Sequence, residues 1–483
     1  MTTTNERPTS HRMLTDVPME PAPLGRFEPL IGADHAATLR TEAERVCRLL
    51  DGRTVWNVNS TDKGGGVAEM LHALLPYVVG AGIDARWIVI EADEEFFAVT
   101  KRLHNRLHDE PGDGGELDNE ARAAYERTLA ANRDELLARV QPGDIVMFHD
   151  PQTAGLIPAV KDKGAGVVWR CHIGADSPGR LAHEAWDFLR PYVAAADRVV
   201  FTCEQHVWTG LDAARIALVA PSIDAFSAKN QELDDPSVAA ILDAAGIIET
   251  SGDTSASYVG RDGVAAVVRR RAEMIEDAPL DDSLPIVVQV SRWDRLKDPV
   301  GVIDGFARYV APTTDAQLVL AGPESAAVAD DPEGAEVLAE VIAVRDRLEP
   351  AVRSRVHLAC LPMHDEDENS AIVNALQRRA DVVVQKSLAE GFGLTVAEAM
   401  WKRRPVVASG RGGIKAQVID GRTGLLLDDP EDLREFGDTV VTLLTDHDLA
   451  ARLGDAAHEH VLQHFLAPRH LLQYAEIVTQ LCG

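Results

Sequence analysis

The chain has little that would tie it to a membrane, a disulfide framework or nucleic acid. Its 483 residues include five cysteines, Cys47, Cys171, Cys203, Cys360 and Cys482, with no CxxC pair and no metal-ligand spacing. That pattern excludes a disulfide scaffold and a zinc module and suits buried, apolar thiols in a reducing compartment. No apolar run reaches the ~20 residues that span a bilayer, and Met1–Pro23 is polar and Pro-rich. A cytoplasmic location with no membrane partner is therefore expected. Positive charge is also scarce: 48 Lys and Arg stand against 77 Asp and Glu, a net charge of -29 without a basic stripe. Nucleic acid is an unsuitable partner for such a surface.

What is present reads as a globular protein of two domains. A single core stops growing near ~250–300 residues, and 46% hydrophobic with 26% charged residues is an ordinary soluble balance. From Thr54 on, short β-branched runs alternate with helical stretches such as Gly66–Val79 and Leu117–Val140. The predicted strands are Thr54–Asn59, Ala85–Ile90, Asp144–Phe148, Gly166–Arg170 and Arg198–Thr202. The rhythm restarts with Ile286–Val290, Gln317–Ala321, Val356–Ala359, Asp381–Gln385, Pro405–Ala408 and Gly424–Leu427. This alternation predicts an α/β protein of two Rossmann-like, doubly wound domains facing across a cleft. The boundaries are an N-terminal extension over 1–53, domains over 54–220 and 221–465, and a C-terminal helix over 466–483 packing back toward the first domain. Pro221–Ser227 reads as a linker and Glu249–Asp262 as an exposed loop. In open α/β sheets ligands bind beyond the carboxyl ends of the strands, so residues just after strands are the candidates.

Asn59-Ser60-Thr61-Asp62-Lys63-Gly64-Gly65-Gly66 links a strand to a helix. It is either a flexible turn or a place where backbone approaches a phosphate or sugar hydroxyl at a helix N-terminus. It has neither the Walker lysine nor GxGxxG spacing. Ser291–Pro299 carries Arg292 and Lys297, two cations suited to a diphosphate, or else a solvated loop paired with Asp294 and Asp298. The most specific segment is Lys386–Glu398, with carboxylates at Glu390 and Glu398 flanking Gly391-Phe392-Gly393-Leu394-Thr395. A loop carboxylate followed by one a turn into a helix suits sugar hydroxyls and a ribose diol, with the intervening N–H groups toward phosphate. His149-Asp150-Pro151-Gln152 and Trp169-Arg170-Cys171-His172 end two further strands. There Asp150 could take a proton from an acceptor hydroxyl and a neutral His172 could bond a sugar, or the histidines could be structural.

Together these segments resemble the retaining GT-B glycosyltransferases of family four and, more narrowly, the glycosyltransferring trehalose synthases. The resemblance runs from Thr54 to Leu427 and includes Glu95-Phe96-Phe97 with Thr100-Lys101, and Ala399-Met400-Trp401-Lys402. The Glu-x7-Glu element belongs to the whole superfamily; Asn-Ser-Thr-x-x-Gly-Gly-Gly-Val-Ala-Glu and Phe-Phe-x-x-Thr-Lys point to trehalose. The resemblance implies catalytic roles for Glu390, Arg292, Lys297, Asp150 and His172. It implies donor contacts from Gly65, Gly66, Gly391, Phe392, Gly393, Leu394, Thr395 and Glu398, and acceptor contacts from His149, Asp150 and Gln152. The implied reaction joins UDP-, ADP- or GDP-glucose with glucose to give trehalose, by front-face attack and without a protein nucleophile. No metal or cofactor is expected, since Arg292 and Lys297 can carry the diphosphate charge and no Asp-x-Asp element stands beside them. A homodimer is compatible with such an enzyme. Trehalose phosphorylase chemistry and a non-catalytic sugar-binding protein on the same scaffold are the alternatives, and Glu398, useful only beside a ribose, favours the nucleotide route. The segment Ile173–Gly179 departs from the family's His-Ile-Asp pattern.

Overall fold

The computed structural model describes residues 13–63, 66–250, 254–324 and 332–482. It divides into two compact units: the first runs to Val219 and takes up the chain again from Leu471, and the second is Ala220–His470.

The first unit holds a seven-stranded sheet. Its strands are β1 (Leu14–Val17), β2 (Val55–Asn59), β3 (Ala85–Ile90), β4 (Ile145–His149), β5 (Gly166–Arg170), β6 (Arg198–Phe201) and β7 (Ile216–Leu218), in the order β1-β3-β2-β4-β5-β6-β7. All neighbours are parallel except β1, which pairs antiparallel with β3, Leu14 opposite Ile90. Helices cover both faces, so β2 and β4 are buried at every position, as a parallel sheet requires. One face packs Trp56, Val58, Phe148 and Trp169 with the helices Glu94–Leu107, Asn119–Arg139 and Arg180–Val193. The other face buries Val55, Ile145, Met147, Val168 and Val200 with Val46 and Leu50 of the helix Glu28–Leu50 and Ile477 and Val478 of the helix Ala467–Cys482. The stretch before Thr54 thus supplies an edge strand and a core helix. The four residues of β1 are too short and too mixed to announce themselves as a strand; their partner β3 decides it.

The second unit holds another seven-stranded sheet, β10 (Glu273–Ile275), β11 (Ile286–Val290), β12 (Gln317–Pro323), β13 (Val356–Leu361), β14 (Val382–Gln385), β15 (Val406–Ser409) and β16 (Leu425–Leu427), ordered β10-β13-β12-β11-β14-β15-β16. Only β10 is antiparallel. Its core joins Val287, Leu318, Leu358, Val382 and Val407 to Ile303, Phe306, Phe436 and Val440. Every strand predicted from composition is present within a residue or two, and the doubly wound α/β class is the observed one. One expectation fails: the Glu249–Asp262 stretch is not simply a loop, because β8 (Ser257–Val259) pairs with β9 (Ala265–Val267) in a small antiparallel ribbon. The turn between them hides that pairing behind Gly, Arg and Asp. The thiols are also less uniform than expected, with Cys171 and Cys360 buried and Cys47, Cys203 and Cys482 half-buried.

Strand order fixes where each unit can hold a ligand. In the first sheet the order reverses between β2 and β4, and in the second between β11 and β14. At such a switch point the two following loops diverge and leave a crevice. The polar residues Asn59, His149 and Gln385 close three of these four strands.

Candidate active site

At the switch point of the second unit the loop after β11 meets the loop after β14. Lys297 closes a single 3₁₀ turn, Arg295–Lys297, whose start is capped by Asp294. Its Nζ donates to Glu390 Oε2 at 2.7 Å, and Ser387 Oγ donates to the same oxygen at 3.2 Å. Both charged side chains keep slight solvent access, 17% for Lys297 and 11% for Glu390. Beneath them Lys386, fully buried, pairs with Asp298, whose other oxygen accepts from Gly301 N at 3.0 Å. Asp298 adopts a left-handed conformation, φ +47°. Backbone also links the loops, Leu388 N to Leu296 O at 2.8 Å.

Glu390 leads into Gly391-Phe392-Gly393 and the helix Leu394–Trp401, which starts on Gly393 at φ +80° with no side-chain cap. The segment Gly410–Gly413 passes so close that a Cβ on Gly412 would lie 1.6 Å from Glu390 O. Gly413 N donates to Gly391 O at 3.0 Å, and Gln417 Nε2 donates to Phe392 O. Phe392 itself is buried against Phe465, ring centroids 5.9 Å apart. Thr395 Oγ1 turns back to Gln385 Oε1 at 3.2 Å. Glu398 is almost fully buried, with Lys229 Nζ 3.8 Å from Oε1. Lys402 anchors the end of this helix, donating to Asn230 Oδ1, Gln377 Oε1 and Glu398 O at 3.0, 2.9 and 3.2 Å. Burial pushes its ammonium down to about 7, against the favourable field of Glu398. Arg292 is half exposed and tied to Asp294 at 3.0 Å.

At the switch point of the first unit, His149 ends β4 and Asp150 follows at φ +58°, a strained backbone for a non-glycine residue. Asp150 Oδ1 accepts from His172 N at 2.7 Å, while its carbonyl accepts from Trp169 Nε1 at 3.0 Å. His149 Nδ1 lies 3.2 Å from His172 Nε2, and His149 Nε2 lies 3.2 Å from Asn57 Oδ1. Burial raises the Asp150 carboxyl to about 7, partly opposed by the His172 N–H and the Arg170 cation. Burial, then the same arginine, holds His149 down at about 3. Gln152 is half-buried in the short helix Asp150–Thr153. In the turn after β2, Asn59 Nδ2 donates to Thr61 O at 2.6 Å and its Oδ1 accepts from Trp87 Nε1 at 2.7 Å. Gly66 opens the next helix; Gly65 lies outside the described residues.

The structure therefore joins Lys297 to Glu390 and, through His172, His149 to Asp150, while Arg292 pairs with Asp294 and Glu398 lies 3.8 Å from Lys229. Sequence reasoning gave no role to Asn57, Arg170, Lys386 or the Gly412-Gly413 pair, and read Asp298 only as a local ion-pair partner of Arg292 and Lys297. A signal existed for the glycine pair in the Gly-rich run after a predicted strand.

Residues 57–208 match the family model described as trehalose synthase, N-terminal domain, and residues 270–460 match glycosyl transferases group 1. The trehalose synthase of Pyrococcus horikoshii is 34% identical over 458 residues, 95% of this chain and 96% of the relative. The chain belongs to the trehalose synthase family. As a member of that family it is a glycosyltransferase, and the silent sugar-binding alternative falls away. The trehalose phosphorylase of Pleurotus pulmonarius is more distant, 26% identical over 83% of this chain and 54% of its own length. Among solved structures, the Escherichia coli trehalose-6-phosphate protein bound with UDP-2-fluoro glucose superposes with a TM-score of 0.63 at 14% identity, covering 89% of this chain and 99% of that one. This places the trehalose synthase family chain in the GT-B fold. No helix among the described residues is long and apolar enough to cross a membrane.

Proposed function

We propose that this trehalose synthase family member transfers glucose from an NDP-glucose to the anomeric hydroxyl of glucose, reversibly and with retention at the donor carbon, giving trehalose and NDP. The observation that carries this reading is the Lys297–Glu390 pair at the switch point of the second unit. A departing nucleoside diphosphate gains negative charge as the C1–O bond breaks, and Lys297 with Arg292 offsets that charge. Glu390, anchored by Lys297 and Ser387, presents its carboxylate to the donor sugar hydroxyls. The N–H groups of Gly393, Leu394 and Thr395 serve the phosphates, with Gly65 and Gly66 as further donor contacts. Glu398 serves the ribose. In the first unit Asp150 and Gln152 bond the acceptor, and His149 and His172 shape the site around it. The new C1–O bond forms on the face the phosphate leaves, and the acceptor's proton passes to the leaving phosphate oxygen. With two cations at the diphosphate, the chemistry is metal-independent.

The test is to incubate the purified protein with glucose and, in turn, UDP-, ADP- and GDP-glucose, and to identify the product. A non-reducing disaccharide with release of NDP supports the reading and names the base. If none of the donors is used while trehalose and inorganic phosphate yield glucose 1-phosphate, the phosphorylase chemistry replaces it.

A further inference from the structure

Four side chains form a file from the middle of β2 across the ends of β4 and β5: Asn57, His149, His172 and Arg170. Asn57 Oδ1 is 3.2 Å from His149 Nε2, His149 Nδ1 is 3.2 Å from His172 Nε2, and His172 Nδ1 is 3.5 Å from Arg170 Nε. The two rings lie nearly parallel, their planes 19° apart. Asn57 and His149 are 2% exposed and Arg170 is fully buried.

The two ends of the file are chemically unequal. Arginine carries only donors and stays charged, so His172 must turn a bare Nδ1 toward it, and the ring proton sits on Nε2. That proton points at His149 Nδ1, which must then accept. The His149 proton accordingly sits on Nε2 and is received by Asn57 Oδ1. The opposite polarity fails at the arginine: an Asn57 amide donating to His149 would leave an Nδ1–H on His172 facing the Arg170 Nε–H. A cationic His172 meets the same collision, and a cationic His149 would set its Nδ1–H against the Nε2–H of His172. Only one proton arrangement satisfies all three contacts of the file, and Arg170 dictates it.

We propose that Arg170 is a positioning residue which locks His149 and His172 as neutral Nε2–H imidazoles and, through His172, holds the backbone N–H that Asp150 Oδ1 accepts. With both ring nitrogens of each histidine engaged, neither ring serves as the proton acceptor of the site, and Asp150 is left as its titrating group. Among the described residues Cys171, Cys203 and His206 also feel the Arg170 cation, and Asp176 faces Cys203 and His206 in the loops after β5 and β6. The Arg170 cation also favours the ionised Asp150. The kinetic part of this inference rests on Asp150 serving the transfer reaction; the proton arrangement does not.

The experiment is ¹⁵N NMR of the full-length protein labelled in histidine, with the two resonances assigned from His149→Gln and His172→Gln. Both rings are expected to carry their proton on Nε2 and to stay neutral between about pH 6 and 8. A His172 protonated on Nδ1, or a cationic ring in that range, overturns the proposal whatever the enzyme's substrate. In Arg170→Met the lock is removed: His172 should exchange between tautomers or gain a proton, kcat should fall on the order of 100-fold, and the acid limb of the rate profile should move to higher pH. Arg170→Lys, which keeps the charge, should return that limb toward its wild-type position. An Arg170→Met protein with unchanged tautomers and an unchanged acid limb would also refute it. If that variant does not fold, the wild-type tautomers decide. A protein with the expected tautomers but no trehalose product would sink the functional reading alone.

Discussion

Lys386 and Asp298 form a buried ion pair between the loops after β14 and β11, and the residue adjoining each reaches the same carboxylate. Lys297 precedes Asp298, Ser387 follows Lys386, and both bond Glu390 Oε2. The buried pair sorts the charges: Asp298 is neutralised from below, which leaves Lys297 for Glu390 and its ligand.

Lys386→Met should therefore strand the Asp298 carboxylate beside its own helix start. Breaking a buried pair from one side costs about 3–5 kcal/mol, which urea unfolding would read as a lower midpoint at unchanged slope. Loss below about 1 kcal/mol would show that Asp298 finds water or Lys297 instead.

Glu390→Gln changes almost no volume but removes the charge that holds Lys297. Turnover should drop by several orders of magnitude with the far-ultraviolet circular dichroism intact. Near-normal turnover would take Glu390 out of the site.

Glu398→Ala should weaken NDP binding by about 1–3 kcal/mol, the scale of charged hydrogen bonds lost to a diol. Calorimetry on wild type and variant checks it. Unchanged NDP affinity would reduce Glu398, nearly buried beside Lys229, to a structural residue.

Asp150 makes stability and activity pH-dependent in opposite ways. Its carboxyl is raised from 3.8 to about 7, so the folded state holds more protons than the unfolded one across that window. Its contribution to stability consequently falls as pH rises from about 4 to 7. His149, lowered from 6.5 to about 3, acts the other way, losing stability as pH falls through the same range. The comparison with Asp150→Asn separates them: the variant should gain on the wild type as pH rises, while losing turnover and the acid limb near pH 7. A pH-independent stability difference would contradict the raised carboxyl.

On the proposed reading, in which Arg292 and Lys297 supply the charge a divalent ion would bring to the diphosphate, activity should survive EDTA. Complete loss restored by Mg²⁺ or Mn²⁺, with the fold intact, would overturn this.

The sequence by itself determined the central strands of both sheets and pointed to the loops that follow them, while the short edge strands escaped it. Runs such as Val-Val-Val-Gln and Ile-Val-Val-Gln-Val can be buried on both faces only in a parallel sheet, and the Glu390-to-Glu398 spacing places a loop carboxylate and a helical one around the same turn. Both are local properties. Which strands become neighbours is not local. That β11 lies beside β14, 91 residues of chain between them notwithstanding, follows from packing helices on both sheet faces, and it alone brings Lys297 to Glu390 and Lys386 to Asp298. The same applies to Asn57 and His149, 92 positions apart. A buried arginine such as Arg170 looks in the sequence like any strand-end cation. Only when tertiary packing removes water and places His172 Nδ1 against it does its lack of an acceptor decide where two histidines keep their protons.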